Sequence, residues 1–408
     1  MQAKRYGFFR RVRFRLKHVQ AGARRLGTLL LLLAMFLGMA VLPTFAHIAA
    51  KNTIIQGVPD AQELVQQGRN LYEAERFLEA AKVLQQAADA FKATRDGLRQ
   101  AMTLSNLSLA YQELGQWSQA SQASAQSLNL LQTGRNIGTS TERAQILAQA
   151  LDVQGRLQLA QGQAEAALTT WRHAASTYAQ IGDDVGVIHS RINSAQALQA
   201  LGLYRQAEKT LTSVHQSLQK KPDSPLKATE LRSLGNVLRV VGDLEKSRQI
   251  LQQSLEVAQA LSTPQAISYA LLGLANTARA QQDIPAAISF YQQAATASTS
   301  HFTRTQAQLN QLRLLLEDKQ LIAAAALWPQ IQSQIPNLPP SPTAIYARIN
   351  FAADLTRLRQ LTTTDTPSWQ DIAQLLAYSV QEAKNLGDQR ATSYALGNLG
   401  ELYYQTQQ

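Results

Sequence analysis

The sequence predicts an all-α solenoid of about eight helical hairpins. Small residues recur about every 40 residues, and the apolar residues before each of them follow the three-and-four spacing of one helix face. A short turn, in most cases with a glycine, separates the apolar stretch from the small residue. A unit of this kind cannot bury its apolar face alone, so we expect neighbouring units to stack into a continuous core.

The small residues mark the place where the two helices of each hairpin are predicted to cross. A side chain larger than a methyl group there would push the helix axes apart. The successive spacings are 40, 47, 40, 40 and 40 residues, for Ala80, Ala120, Ala167, Ala207, Ser247 and Ala287. In four hairpins a glycine stands five residues earlier, where we expect the turn: Gly115, Gly162, Gly202 and Gly242.

These residues resemble the tetratricopeptide repeat. The best matches are Leu107–Tyr111, followed by Leu114–Trp117 and Ala120, and Leu234–Asn236, followed by Gly242–Leu244. The resemblance covers about residues 60–400 and implies a right-handed superhelix. Three features depart from the family pattern: the turn glycine is missing at Gln282, serines stand at 124 and 247, and the repeat has about 40 residues instead of about 34. The longer unit implies longer helices or longer links.

We divide the chain into four parts: a leader or anchor at 1–46, repeats one to four at 60–220, repeats five to seven at 226–334, and a degenerate repeat with a terminal half-repeat at 343–408. The terminal half-repeat carries an apolar stripe of Leu396, Leu399 and Tyr403, and no further helix follows it in the sequence. Either the chain is a fragment of a longer protein, or this helix packs on the previous hairpin as its cap.

Residues 1–46 have the order of a signal peptide: a basic stretch, an apolar run and small residues at 44–46. The uncharged run Leu26–Ala50 has 25 residues, which is also enough to cross a bilayer as a helix. Cleavage and anchoring through 26–50 both stay open. Either places the repeats beyond the inner membrane, in a periplasmic, lumenal or secreted location, because the basic flank stays in the cytoplasm. We expect membrane contact only through this segment.

Charge and composition exclude several function classes. Of the 39 basic residues nine lie in residues 1–46, so the remainder carries 30 basic and 28 acidic residues and is nearly neutral. We therefore expect no nucleic-acid partner. The absence of cysteine excludes disulfides, thiolate zinc sites and a cysteine nucleophile. No hydrolase elbow, zinc-binding helix, phosphate loop or dinucleotide fingerprint occurs, so we expect no enzyme activity, no cofactor and no metal.

The predicted function is an exported scaffold for protein–protein or protein–peptide interaction. The leader, the 40-residue repeats and the helix around Leu396–Gly400 resemble the N-terminal part of bacterial, often cyanobacterial, repeat proteins, some of which continue into a CHAT peptidase domain. The alternative is therefore a regulatory or sensor arm of a longer CHAT-type enzyme. That domain needs a His–Cys pair, and this chain has no cysteine, so only the repeat region would be present here.

Five residues are predicted to bind a peptide on the concave face. Arg232, Asn236 and Arg239 have i, i+4, i+7 spacing and share one face of a helix, and Asn276 and Arg279 repeat the last two positions 40 residues later. In peptide-holding tetratricopeptide proteins an inner-face asparagine often bonds the peptide backbone, which the resemblance implies for Asn236 and Asn276. Two amides and three guanidinium groups suit an extended peptide with carboxylates. The alternative is a solvated polar face.

Overall fold

A computed structural model of the protein describes residues 60–133, 138–362 and 367–406. These residues form seventeen α-helices and a short 3₁₀ turn at Ile335–Asn337, with no strand among them. The helices are α1 Ala61–Glu73, α2 Phe77–Ala93, α3 Gly97–Glu113, α4 Trp117–Thr133, α5 Ser140–Ala160, α6 Ala164–Gln180, α7 Asp184–Ala200, α8 Tyr204–Leu218, α9 Pro225–Val241, α10 Leu244–Ala260, α11 Pro264–Ala280, α12 Ile284–Ala297, α13 His301–Glu317, α14 Leu321–Gln334, α15 Pro342–Leu361, α16 Trp369–Asn385 and α17 Gln389–Thr406.

Consecutive helices pack in pairs along the described chain. We name the first member of each pair helix A and the second helix B. The pairs from α1–α2 to α15–α16 make eight hairpins, and α17 is a ninth helix of type A. Most A helices also contact the next A helix. This arrangement confirms the predicted all-α solenoid of about eight hairpins.

The small residues lie at the closest approach of helices A and B, as the sequence predicts. All six are fully buried, and each is the fourth residue of its B helix. Three A helices carry a glycine that lies opposite a large side chain of helix B. That large residue stands four positions after the small residue of the same helix B. A methyl group on that glycine would come within 2.7 Å of the larger side chain, in the pairs Gly68–Leu84, Gly155–Trp171 and Gly235–Leu251. These three hairpins therefore combine a residue without a side chain on helix A with a bulky group on helix B.

The departures from the family pattern have structural explanations. Most A and B helices have 17 residues, so longer helices account for the longer repeat. Ser247 donates its hydroxyl hydrogen to the carbonyl of Gly235 at 2.8 Å, which satisfies the polar group inside the crossing. Gln282 has a φ of 63°, the same left-handed conformation that Gly242 adopts with a φ of 92°. The turn geometry is thus kept at this position without glycine.

The solenoid curves back so that its second and eighth hairpins touch. A methyl group on Gly115, in the turn between α3 and α4, would lie 2.9 Å from the Pro342 ring at the start of α15, and 3.6 Å from Leu386. These residues are far apart in sequence, and five hairpins lie between theirs in the fold. The hairpins therefore complete a superhelical turn, in which an edge of one hairpin meets the opposite edge of another.

The four tryptophans differ in burial. Trp171 is fully buried, while Trp117, Trp328 and Trp369 are half-buried, the last two against the core of the C-terminal hairpins. The leader at 1–46 and the apolar run at 26–50 lie outside the described residues. Within the described ranges, no helix has both the length and the apolar character that crossing a bilayer requires.

The contact between Gly155 and Trp171 predicts that a Gly→Ala substitution changes stability in opposite directions at two helical sites. Gly155→Ala should lower the free energy of unfolding by about 1–3 kcal/mol, because the new methyl group would lie 2.6 Å from the Trp171 ring. Gly397→Ala, in α17, meets no atom within 4 Å and should raise stability by up to about 1 kcal/mol through helix propensity. Urea unfolding followed by circular dichroism measures both, and equal effects would contradict the packing described.

The contact between the second and eighth hairpins predicts a specific cross-link. The chain has no cysteine, so Gly115→Cys with Pro342→Cys provides a single pair, which we expect to oxidise to an intramolecular disulfide. Gly162→Cys with Pro342→Cys is the matched control, since Gly162 is also a left-handed turn residue and meets nothing within 4 Å. Mobility in non-reducing gels reports the bond. Equal cross-linking of both pairs would contradict the closure.

Candidate functional site

The five predicted binding residues lie on the A helices of the fifth and sixth hairpins, α9 and α11. All five are half-buried: Arg232, Asn236, Arg239, Asn276 and Arg279. Each of these side chains is thus partly accessible to solvent. We call the side of the solenoid that these residues share the helix-A face.

Arg232 and Asn236 extend from α9 towards α11. The Arg232 guanidinium lies 5.1 Å from the ring centroid of Tyr269, a cation–π contact between consecutive A helices. Burial lowers the pKa of Arg232, and the neighbouring Tyr269 opposes that shift. The Asn236 amide oxygen would lie 3.4 Å from a methyl group on Gly273, so the amide rests against α11. Within the described residues Asn236 makes no side-chain hydrogen bond.

Asn276 and Arg279 have partners inside the solenoid. The Asn276 amide oxygen accepts a 2.6 Å hydrogen bond from the hydroxyl of Tyr291, a fully buried residue of α12. Arg279 donates to both carboxylate oxygens of Glu317 in α13, each at 2.8 Å. Removal of the Asn276 amide would leave the Tyr291 hydroxyl without this acceptor.

Arg239 lacks the carboxylate partner that other arginines of this face have. Its Nε atom is buried and has no hydrogen-bond partner among the described residues. Arg279, at the same place in the next hairpin, pairs with Glu317, which stands four residues before helix B begins. For Arg239, the place four residues before the next helix B, α12, is taken by Ala280, which has no charge. The carboxylate that would complete the pattern is missing at this hairpin.

The helix-A face is internally neutralised on both sides of Arg239. Towards the N-terminus, Arg156 of α5 pairs with Glu113 of α3, which also accepts a 3.1 Å hydrogen bond from Tyr72. Towards the C-terminus, Arg313 pairs with Asp354 at 3.3 Å. Burial raises the pKa of Asp354 to about 6, although Arg313 opposes the shift. The uncompensated positive charge therefore lies between these pairs.

Sequence reasoning missed the fourth hairpin. Gln196 and Gln199 of α7 stand 40 residues before Asn236 and Arg239, at equivalent places in the A helix. Gln196 is exposed and Gln199 is half-buried. Amide side chains thus occupy one position in three consecutive hairpins: Gln196, Asn236 and Asn276. The 40-residue spacing of Asn236 and Asn276, applied one repeat further towards the N-terminus, would have identified Gln196 from the sequence alone.

The remaining buried ionisable groups serve the fold. Burial raises the pKa of Asp152 to about 7, and its Oδ1 accepts a 2.9 Å hydrogen bond from Ser190. Burial also raises the pKa of Glu230 to about 8 and lowers that of His215, whose Nδ1 lies 3.3 Å from Glu230 Oε2. Burial thus favours the neutral form of both side chains. Among the described residues, no group of acidic and histidine side chains could hold a metal ion.

The family profile for the tetratricopeptide repeat matches residues 227–300. This segment spans α9 to α12, almost to its last residue, and contains all five predicted binding residues. The family resemblance in the sequence is thus confirmed in the region that carries the candidate site. No curated protein sequence matches the chain.

Solved structures extend the same fold over more of the chain. A Rap protein complexed with Competence and Sporulation Factor has a TM-score of 0.50 and 11% identity, with 85% of this chain and 98% of that chain covered. The apo form of RapI also has a TM-score of 0.50 and 11% identity, with 69% and 100% covered. At this identity the likeness shows a shared fold of tetratricopeptide-type hairpins and nothing about ligands.

Proposed function

We propose that the protein is a scaffold that holds an extended peptide with carboxylate groups on its helix-A face, between α7 and α13. Tetratricopeptide repeats generally act as non-catalytic scaffolds for protein interaction, and the extended inner surface of a solenoid suits that role. The helix-A face is the concave side in this proposal, because consecutive A helices contact each other closely along most of the chain. The ligand is a peptide or a segment of another protein.

The row of amides supports an extended backbone as the ligand. Gln196, Asn236 and Asn276 recur once per hairpin, and neighbouring packed helices lie about 8–10 Å apart. An extended chain advances about 3.3 Å per residue, so one hairpin corresponds to about three peptide residues. Each amide offers both a donor and an acceptor, which is what a peptide group needs. Of the two asparagines, Asn276 in α11 accepts a hydrogen bond from Tyr291, whereas the amide of Asn236 in α9 makes no hydrogen bond within the described residues.

The observation that carries the proposal is that the Arg239 guanidinium has no carboxylate partner among the described residues, and its buried Nε has no hydrogen-bond partner there. A guanidinium group binds a carboxylate strongly, and its fixed geometry permits two parallel hydrogen bonds. The protein supplies such a carboxylate to Arg279 through Glu317, but places Ala280 at the equivalent site beside Arg239. A carboxylate of the ligand would complete the pattern. The uncompensated charge also favours acidic ligands over basic ones at moderate salt.

We expect Arg239→Ala to weaken peptide binding. The probe is an array of acidic peptides of about 12 residues, and the best binder is then measured by calorimetry against the full chain. Loss of one guanidinium–carboxylate contact should weaken binding about tenfold or more, which corresponds to about 1.4 kcal/mol. Asn236→Ala should weaken it by a smaller factor, because a neutral hydrogen bond contributes about 0.5–1.5 kcal/mol.

The control is Arg205→Ala, which removes a highly exposed arginine of helix α8. It changes the net charge by the same amount and should leave the affinity unchanged. Equal weakening by both arginine variants would indicate a general charge effect. Unchanged affinity in Arg239→Ala would contradict the proposed site.

Two parts of the sequence interpretation stay proposals. Export beyond the inner membrane is supported by the leader-like order of residues 1–46, which lie outside the described residues. The regulatory arm of a CHAT-type enzyme stays an alternative prediction, and no observation on the described hairpins favours it over a scaffold.

Protease treatment of spheroplasts tests the export proposal. We expect the repeats beyond about residue 50 to be digested while the inner membrane is intact, because the basic flank at 1–25 should stay in the cytoplasm. A cytoplasmic marker protein must survive in the same sample. Full protection of the repeats under these conditions would contradict export.

A further inference from the structure

Helix α13 buries a glutamine at a position where most of the preceding A helices bury a leucine. The position lies eleven residues before the left-handed turn residue of each hairpin. In five hairpins it is a leucine with 7% exposure or less: Leu64, Leu104, Leu151, Leu231 and Leu271. In α13 it is Gln308, which is 8% exposed. The chain therefore places an amide at a site that elsewhere belongs to the core.

The amide of Gln308 has no hydrogen-bond partner among the described residues. Its Oε1 atom is buried and unpaired. A buried polar group without a partner destabilises the fold, and a leucine at this position would avoid that cost. Such local disadvantages are expected mainly at functional sites. Gln308 is therefore a candidate ligand-binding group.

Gln308 lines a groove of about 500 Å³ between α12 and α14, the B helices of the sixth and seventh hairpins. Helix α13 forms its floor, where Arg304, Gln308 and Gln311 face the groove with i, i+4, i+7 spacing. Seven residues of a helix correspond to about 10 Å, which gives the length of this polar floor. The volume and length suit a small molecule.

Polar groups surround the groove on three sides. Both walls add amides or a hydroxyl to those of the floor: Gln292 and Thr296 from α12, and Gln330 from α14. Apolar side chains lie between these groups: Ala295, Ala326 and Leu327. An amide is both a donor and an acceptor, as is a hydroxyl group. A ligand with several hydroxyl groups on a compact carbon frame therefore matches this lining.

Arg304 gives the groove a positive charge. Its Nη2 donates a 2.7 Å hydrogen bond to the carbonyl of Ser298, which holds the side chain in place. Among the described residues that line the groove, none is acidic. The remaining donors of the guanidinium group therefore suit a carboxylate or a phosphate of the ligand.

We propose that this groove binds a small polyhydroxylated anion, namely a sugar acid or a sugar phosphate. Its hydroxyl groups bond to Gln308, Gln311 and the wall amides, while its anionic group binds Arg304. An extended peptide fits less well, because its backbone donors and acceptors lie along two edges, whereas the groove offers polar groups on three sides. The site lies between B helices and is independent of the peptide site on the helix-A face.

The chain contains a similar groove that lacks the glutamine floor. It has a volume of about 350 Å³ and lies between α2 and α4, the B helices of the first two hairpins. On its floor Leu104 takes the place of Gln308, and Leu107 takes the place of Gln311. We therefore expect one binding site per chain and not two.

Calorimetry of the full chain with glucuronate, galacturonate and glucose 6-phosphate tests the proposal, with glucose as the neutral reference. We expect saturable binding of at least one anion at one site, about tenfold or more tighter than glucose. The two acids and the phosphate distinguish the kinds of anion. Arg304→Gln should remove the preference over glucose.

Gln308→Leu should weaken binding about tenfold or more, because the buried amide is lost. It should also raise the midpoint of urea unfolding, since leucine is the residue that five other hairpins bury at this position. Gln216→Leu, at an exposed position of α8, is the matched control and should leave the affinity unchanged. Circular dichroism verifies that the variants fold.

Three outcomes would overturn the proposal. The first is no saturable binding of any of the three anions at millimolar concentrations. The second is equal affinity of the wild-type chain and Gln308→Leu, which would place the ligand elsewhere. The third is binding at two equivalent sites per chain, which would assign it to the shape shared with the α2–α4 groove and not to the glutamines.

Discussion

The close approach of helices A and B at their crossing is the constraint on which the structure depends. Interaxial distance follows from the side chains at the contact, and an extra methylene there forces the helices apart. Every hairpin of the first seven satisfies this with a fully buried small residue at the fourth position of helix B. Where helix A has a glycine, as at Gly155, helix B places a large residue such as Trp171 against it.

Because the helices cross in the same way in each hairpin, equivalent outer positions of successive A helices form rows. The row of Gln196, Asn236 and Asn276 is a consequence of the 40-residue step and needs no contact between its members. Neighbouring A helices then decide whether a charge on this face is compensated. Glu317 compensates Arg279, while Ala280 leaves Arg239 without a carboxylate. The charge pattern of this face can therefore differ between repeats that share the same crossing.

The part of the fold that follows from one hairpin could be predicted from the sequence, and the part that follows from neighbouring hairpins could not. The register of Ala80 to Ala287 and the turns are local patterns, and even Gln282 keeps the left-handed turn. The half-burial of Asn276 depends on Tyr291, and the pairing of Arg279 depends on a residue 38 positions away. The contact of Gly115 with Pro342 depends on the curvature accumulated over six hairpins. No short stretch of the sequence indicates this accumulated curvature.

Under the proposed function, ligands of the helix-A face should respond to salt in two parts. Each amide hydrogen bond contributes about 0.5–1.5 kcal/mol net and depends little on ionic strength. The charge of Arg239 is screened by salt, because the Debye length falls from about 10 Å at 0.1 M to about 3 Å at 1 M. Raising the ionic strength should therefore weaken binding to the wild-type chain and leave the weaker binding of Arg239→Ala nearly unchanged. Equal salt dependence of the two chains would mean that Arg239 does not carry the charge recognition.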